Sequence, residues 1–205
     1  HTHDDPVLTD GVVQFYGQPV FCVAAETRAQ ARQAAKLAHI EYEELPAILS
    51  IQDALEKQQF VAPPHVMKQG DAKSALAKAK HRHSGRMDIG GQDHFYLEGQ
   101  ITFAIPGEDG DVLLHCSTQH PSEVQHNIAN ALGRPANAVT VEVRRMGGGF
   151  GGKETQSNLF AAVAALAAKK LGRAVKLRPD RDDDMVATGK RHDFKVDYEI
   201  GRAHV

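Results

Sequence analysis

The run RRMGGGFGGKE at residues 144–154 constrains this chain most, because five of its eleven residues are glycine. Glycine costs backbone entropy and is placed where φ must be positive or where another group must approach the backbone closely. The run lies between an apolar, strand-like segment at 139–143 and an alanine-rich, helix-like segment at 155–171. It therefore predicts a loop that presents backbone N–H groups to a ligand beside a helix N-terminus, where anionic or electron-rich atoms are favoured.

The same glycines also fit two phosphate-binding motifs. Gly147, Gly149 and Gly152 satisfy G-x-G-x-x-G, and the first and last of them satisfy G-x-x-x-x-G-K together with Lys153. A P-loop next requires Ser or Thr to bind Mg²⁺, whereas Glu154 stands there and would repel a phosphate. A dinucleotide-binding fold carries an acid about 20 residues further on, and the segment after the predicted helix is basic. A phosphate- or ATP-binding module using the Gly147–Gly152 loop remains an alternative.

A second motif, GGQDHFYLEGQ at residues 90–100, narrows the interpretation. It is followed by the glycine run and then by DRDDDM at residues 180–185. Together these motifs resemble the molybdenum-binding subunit of the xanthine dehydrogenase family, the molybdenum hydroxylases. The resemblance extends over nearly the whole chain.

The resemblance implies an α+β fold in two parts. Residues 1–58 are expected to form the C-terminal part of a small α/β, hammerhead-like domain, and residues 59–80 a linker. Residues 81–205 are expected to form the N-terminal, truncated portion of a molybdopterin-binding α+β domain. Because the chain starts without Met and stops after a strand-like stretch, we expect it to be a piece of a longer polypeptide.

Local patterns predict the individual elements. Thr27 is expected to cap a helix from 28 to about 39, and Gly133 and Gly172 are expected to end two longer helices. A turn at 17–19 predicts two short strands within residues 12–24. The remaining predicted elements are strands at 40–43, 101–105, 112–116, 139–143 and 174–177, helices at 51–57, 71–80, 121–132 and 155–171, and a loop carrying the aspartates of 180–184.

Four residues are candidates for contact with the cofactor. Gln92 has an uncharged amide that both donates and accepts hydrogen bonds, and the resemblance implies that it bonds an oxygen ligand of molybdenum. By itself it also fits a turn glutamine that caps backbone groups. The resemblance places the backbone of Gly149, Phe150 and Gly151 against the molybdenum centre, and an anchoring role for the Phe150 ring is compatible with that. The molybdenum environment is thus assigned to Gln92 and Phe150.

Glu154 is the candidate substrate-binding residue. The resemblance places it towards the substrate, where relatives that oxidise purines carry Glu and relatives that oxidise aldehydes carry an apolar residue. A helix-capping role is the alternative, because a carboxylate is favoured at a helix N-terminus. Lys153 is expected to be a solvated or structural cation, and His94 a hydrogen-bonded structural histidine. The aspartates of 180–184 lack EF-hand spacing and are expected to pair with Arg181 or cap a helix.

The activity implied by the resemblance is oxidation of hypoxanthine and xanthine to urate. In the family a molybdenum-bound hydroxide attacks the purine carbon, and a hydride passes to the sulfido ligand of the molybdenum–molybdopterin cofactor. Electrons leave through [2Fe-2S] clusters and FAD, expected on partner domains or a partner subunit, to NAD. The family's catalytic glutamate has no counterpart here, so no catalytic residue is assigned and this chain alone is expected to be inactive. The full enzyme is expected to be a cytoplasmic dimer. An aldehyde or other N-heterocycle oxidase, or a noncatalytic scaffold, remains possible.

Composition excludes other classes. The formal net charge of −2 gives no electrostatic case for nucleic acid or membrane binding. No apolar run reaches the roughly 18 residues of a membrane span. Two cysteines do not form a disulfide framework, and neither lies in a C-x-x-C pair that would bind iron and sulfur. His1 and His3 are interpreted as a terminal remnant rather than a metal site.

Overall fold

The computed structural model describes residues 6–202, so the predictions for His1 and His3 lie outside the described residues. These residues form two compact units. The first comprises residues 6–39 together with Asp93–Lys190, and the second comprises Ile40–Gln92 together with residues 191–202. The helices are α1 Arg28–Ala35, α2 Ile51–Glu56, α3 Ala72–Lys78, α4 Pro121–Leu132, α5 Ser157–Leu171 and α6 Arg181–Ala187. The strands are β1 His81–Ile89, β2 Thr102–Pro106, β3 Val112–Cys116, β4 Val139–Glu142, β5 Val175–Leu177 and β6 Phe194–Arg202.

The first unit is built on a four-stranded sheet in the order β4-β3-β2-β5. β2 pairs antiparallel with β3 and with β5, while β3 and β4 run parallel because α4 connects them. The apolar residues of β2 and β3 that face α4 and α5 are buried, as are the alanines of α5, which allow the helix to pack closely. The predicted α+β class is therefore confirmed for this chain.

Helix boundaries follow the capping signals in the sequence. Thr27 and Gln30 form a complete capping box at the start of α1. Pro121 occupies the first turn of α4, and Gly133 ends it with φ 64°. Gly172 ends α5 in the same left-handed conformation. α1 is shorter than predicted, since it ends at Ala35 rather than at about residue 39.

Three local predictions were wrong. The segments at 12–24 and 40–43 belong to no strand of the described residues. A turn is present near the predicted position, where the amide of Gln18 donates to the carbonyl of Phe15 at 3.3 Å, but the segments on either side of it form no strands. A strand requires a partner for its backbone groups, and alternation of side chains does not supply one. The aspartate-rich segment is helix α6 rather than a loop, because Asp180 precedes it in an extended conformation and acidic side chains are favoured in a first helical turn.

The second unit is centred on a two-stranded antiparallel ladder of β1 and β6, in which His81 pairs with Arg202 and Ile89 with Phe194. α3 packs on β6, and the close approach depends on Gly201. A Cβ at this position would lie 2.9 Å from the Cβ of Ala79. The isolated bridge between Gln92 and Arg191 extends the ladder by one pair.

Candidate functional site

The glycine run forms the predicted loop, between the end of β4 at Glu142 and the start of α5 at Ser157. Gly148 and Gly151 have φ values of 95° and 89°, and Phe150 between them has φ 54°. Left-handed backbone is costly for a bulky residue such as Phe, so the surrounding structure must fix this conformation. The Phe150 side chain is 75% exposed, and it therefore does not anchor the loop by burial.

Gln119, which follows β3, holds the loop from one side. Its Oε1 accepts hydrogen bonds from the amides of Gly151 at 3.0 Å and Lys153 at 3.1 Å. The backbone amide of Gln119 donates to the carbonyl of Lys153 at 2.8 Å. A Cβ at Gly149 would lie 2.5 Å from the same Oε1, so the loop approaches this side chain as closely as only glycine permits. No local pattern predicts this role, because Gln119 belongs to an ordinary polar segment between a strand and a helix.

Glu98 holds the beginning of the loop. Its Oε2 accepts a hydrogen bond from the amide of Gly147 at 3.0 Å, and its own amide donates to the carbonyl of Gly147 at 3.1 Å. A Cβ at Gly147 would lie 2.7 Å from the Cβ of Glu98. The segment carrying the second sequence motif therefore pairs with the glycine run in space.

Lys153 is fully buried at the end of the loop. Its Nζ donates to Ser117 Oγ at 3.0 Å, lies 3.9 Å from Glu98 Oε1 and sits 4.8 Å from the centre of the Tyr96 ring. Burial lowers the pKa of the Lys153 ammonium, and the carboxylates of Glu98 and Asp184 oppose that shift. The expectation of a structural cation is supported, whereas the expectation of a solvated one was wrong.

A buried polar network lies beneath the loop. Tyr96 donates to Asp184 Oδ1 at 2.5 Å, and the amide of Gln100 donates to Asp184 Oδ2 at 2.6 Å. The side chain of Gln100 donates to Tyr96 and to the carbonyl of Gly152, both at 3.0 Å. Burial and the hydrogen bond to Asp184 raise the pKa of Tyr96 to about 12. Asp184 is thus the part of the DRDDDM motif that belongs to this network, which contacts the loop through Gln100.

The other charged residues of that motif have different partners from those predicted. Asp180 pairs with Arg28 and Arg32 rather than with Arg181. Arg181 instead donates to the carbonyl of Leu97 at 2.6 Å. Among the described residues, no group of three or more His, Cys, Asp or Glu side chains is arranged to hold a metal ion.

The predicted substrate residue Glu154 is exposed, and within residues 6–202 its carboxylate has no hydrogen-bond or ion-pair partner. The helix starts two residues later than predicted, so Glu154 precedes Gln156, the N-cap of α5. The helix-capping alternative therefore lacks support. His94 is half-buried and packs against the loop, since a Cβ at Gly152 would lie 2.7 Å from its ring.

Gln92 belongs to the second unit. Its amide donates to the carbonyl of Arg191 at 2.9 Å, and its carbonyl accepts from the amide of Arg191 at 3.0 Å. The Gln92 side chain is exposed and makes no hydrogen bond within the described residues. Its role towards a cofactor stays a prediction.

The loop contains backbone donors that no protein group uses. Among residues 6–202, the amides of Gly148, Gly149 and Phe150 have no hydrogen-bond acceptor. Buried or crowded N–H groups are nearly always paired in folded proteins, and Gly149 is buried. These three consecutive N–H groups can donate hydrogen bonds to oxygen or sulfur atoms of a ligand, and no carboxylate of the supporting network competes for them.

Comparison with known proteins shows the family to which this chain belongs. Residues 54–204 match the molybdopterin cofactor-binding domain. The chain belongs to this family. Residues 1–46 match the a/b hammerhead domain of aldehyde oxidase and xanthine dehydrogenase.

Proteins similar to this chain include both xanthine dehydrogenases and an aldehyde oxidase. Xanthine dehydrogenase/oxidase of Gallus gallus is 45% identical over 200 residues, and xanthine dehydrogenase of Dictyostelium discoideum is 44% identical over 199 residues. These alignments cover 97% of this chain but 15% of each relative. Aldehyde oxidase 2 of Cavia porcellus is 42% identical over 202 residues, again over 15% of its length.

Solved structures agree with the family assignment. Quinoline 2-oxidoreductase from Pseudomonas putida 86 has a TM-score of 0.86 at 27% identity, over 96% of this chain and 26% of that one. Aldehyde oxidoreductase from Desulfovibrio gigas has a TM-score of 0.73 at 29% identity, over 86% of this chain and 20% of that one. Among the described residues, no helix is long and apolar enough to cross a membrane.

Proposed function

We propose that this chain is the loop-bearing part of a purine-oxidising molybdenum hydroxylase that converts hypoxanthine and xanthine to urate. One observation carries the proposal: the Gly148–Phe150 amides are left without protein acceptors in a loop held from beneath by Gln119 and Glu98. The chain spans 15% of the length of the curated relatives it matches, so the activity is proposed for the full-length protein.

The loop residues fit the molybdenum–molybdopterin cofactor. The backbone of Gly149, Phe150 and Gly151 would hold it. The unpaired N–H groups of Gly149 and Phe150 stabilise electron-rich oxygen and sulfur atoms without adding charge, while the N–H of Gly151 is bonded to Gln119. When bound, the cofactor supplies the two-electron oxidation and the transfer of oxygen to the substrate. The protein residues orient the cofactor, and the left-handed conformation of Phe150 keeps the loop in one shape.

A glutamine side chain completes the proposed cofactor contacts. The sequence motif assigns this role to Gln92, while the loop geometry supports Gln119, whose Oε1 is already bonded to the loop and whose NH₂ group makes no hydrogen bond within residues 6–202. Replacing each glutamine by Ala separates the two assignments. Loss of molybdenum from folded full-length Gln92→Ala identifies Gln92 as the contact. Full molybdenum content in Gln92→Ala refutes that assignment, and full content in Gln119→Ala refutes the one to Gln119.

Glu154 is proposed to bind the substrate. A carboxylate without a protein partner, in the turn directly after the loop, can accept a hydrogen bond from a purine N–H, or in its protonated form donate to a purine nitrogen or carbonyl oxygen. The remaining parts of the proposed enzyme are [2Fe-2S] clusters and FAD on partner domains or a partner subunit, and NAD as acceptor. We propose a dimeric, cytoplasmic enzyme, and no residue of this chain is assigned as the general base.

Substrate profiles of the full-length protein test the purine assignment. We expect Glu154→Val to reduce kcat/KM for xanthine and hypoxanthine by about 10- to 150-fold, the range for losing a hydrogen bond to a charged group. Turnover of an aromatic aldehyde and molybdenum content should be unchanged or higher. Glu108→Val, which removes another exposed carboxylate, is the matched control. Undiminished xanthine turnover in Glu154→Val would refute the assignment.

The second candidate is an aldehyde or N-heterocycle oxidase, which the similarity to Cavia porcellus aldehyde oxidase 2 favours. An aldehyde turned over faster than xanthine by the unmodified protein would select it. The phosphate-loop alternative is disfavoured, because a P-loop lysine must reach the phosphates, whereas Lys153 is fully buried and bonded to Ser117.

A further inference from the structure

A fully buried ammonium at the end of a ligand-binding loop is unusual. Lys153 is the largest completely buried side chain in the described part of the protein, yet it immediately precedes the exposed Glu154. Removing an ammonium from water costs several kcal/mol even after relaxation, and a buried ion pair is often less stabilising than apolar side chains of similar volume. Stability alone is therefore a weak reason to keep a lysine here.

The contacts of this ammonium all lead back to the loop. Ser117, which accepts its hydrogen bond, lies two residues before Gln119, whose Oε1 binds the amides of Gly151 and Lys153. Tyr96, whose ring lies beneath the ammonium, is within van der Waals range of Gly152, where an added Cβ would lie 2.7 Å from ring atom Cε1. Ser117 and Tyr96 thus each contact the loop or lie close in sequence to a residue that supports it.

Glu98 connects the two ends of the loop. One carboxylate oxygen accepts a hydrogen bond from the amide of Gly147, and the other lies 3.9 Å from the ammonium of Lys153. The loop therefore starts and ends on the same carboxylate. The ammonium is fully buried, whereas the Glu98 side chain is one-third exposed. Because the ammonium attracts this carboxylate, it also restrains the Glu98 rotamer that bonds Gly147.

We propose that Lys153 and Glu98 form an internal clamp that closes the glycine loop and fixes the Gly148–Phe150 amides in position before any cofactor binds. Lys153 is a positioning residue in this arrangement, since its side chain is fully buried among protein groups. The inference rests on the proposed function for its purpose, but the clamp itself concerns protein groups alone. Preorganised donors bind a ligand more tightly because less ordering remains to be done.

Hydrogen exchange of the cofactor-free full-length protein tests the clamp directly. Lys153→Met keeps an unbranched apolar side chain and removes the charge. We expect the hydrogen-bonded loop amides of Gly147, Gly151 and Lys153 to exchange about tenfold faster or more, while α4 and the sheet keep their protection. Lys170→Met, the same change at an exposed lysine of α5, should leave the loop unchanged.

Glu98→Gln provides a second test, which remains informative if the Lys153→Met protein does not fold. It keeps an oxygen acceptor for Gly147 but removes the negative charge, so we expect faster loop exchange and a lower molybdenum content at an unchanged midpoint of thermal unfolding. Unchanged loop exchange in either variant, with normal folding, overturns the clamp. Uniformly faster exchange over the whole first unit also overturns it, because that result indicates general destabilisation.

The outcome is separable from that of the proposed function. Unmodified full-length protein without molybdenum would refute the function, whereas faster loop exchange in the variants would still support the clamp. Normal molybdenum content in the unmodified protein, with identical loop exchange in all variants, would leave the function standing and refute the clamp.

Discussion

Gly149→Ala provides a sharp test of how the loop is held. A Cβ at this position would lie 2.5 Å from Gln119 Oε1, 2.7 Å from its Cδ and 2.9 Å from its Cγ. These three atoms belong to one side chain, so relief requires Gln119 to move. Moving it breaks the hydrogen bonds to Gly151 and Lys153, at about 1 kcal/mol each, and any remaining overlap adds about 1–2 kcal/mol. We expect a local cost of about 2–4 kcal/mol.

Native-state hydrogen exchange of the full-length protein measures this cost. The amides of Gly151 and Lys153 should exchange faster by roughly one and a half to three orders of magnitude, since every 1.4 kcal/mol is tenfold. Gly172→Ala is the control, because an added Cβ there meets nothing within 4 Å and only the positive φ of 61° opposes it, at about 1 kcal/mol. Equal protection of these two amides in Gly149→Ala and in the unmodified protein would refute the proposed support by Gln119.

Two further predictions concern the network beneath the loop. Asp184→Asn removes the charge that accepts hydrogen bonds from Tyr96 and from the amide of Gln100, so we expect a loss of about 2–3 kcal/mol in the stability of the first unit; an unchanged denaturation midpoint would contradict it. The folded state raises the pKa of Tyr96 from 10.0 to about 12. The protonated hydroxyl therefore contributes fully to the free energy of unfolding below pH 10, and this contribution, up to about 3 kcal/mol, is lost as the pH rises towards 12. Tyr96→Phe should remove this alkaline loss, and the denaturation midpoints of both proteins between pH 9 and 12 measure it.

Local sequence signals predicted much of the fold. The capping box of Thr27 and Gln30, the glycines after α4 and α5, and the alternation in β2 and β3 each act within a few residues, so they can be read from the chain. The presence of a glycine loop is predictable for the same reason, because its five glycines lie together in the sequence. The false strands within 12–24 show the limit, since strands exist only where a partner is available.

The supporting residues of the site could not be predicted. Gln119 and Asp184 lie far from the loop in sequence. Only the fold brings Gln119, in the β3–α4 connection, to the loop, and Asp184, in helix α6, to the network beneath it. Nothing next to Lys153 in the chain indicates burial, because its environment is made by Ser117, Tyr96 and Glu98. The cofactor was inferred from the resemblance of the sequence motifs. The residues that support the loop are evident only from the tertiary contacts.

Molybdenum content tests the central claim most directly. Full-length protein, produced in a host that makes the cofactor, is analysed by elemental mass spectrometry together with Gly149→Ala and the control Gly172→Ala. We predict close to one molybdenum per chain in the unmodified protein and in the control, with a marked loss in Gly149→Ala. A folded, unmodified protein without molybdenum, or a Gly149→Ala protein that retains it fully, would contradict the assignment of this loop to the cofactor.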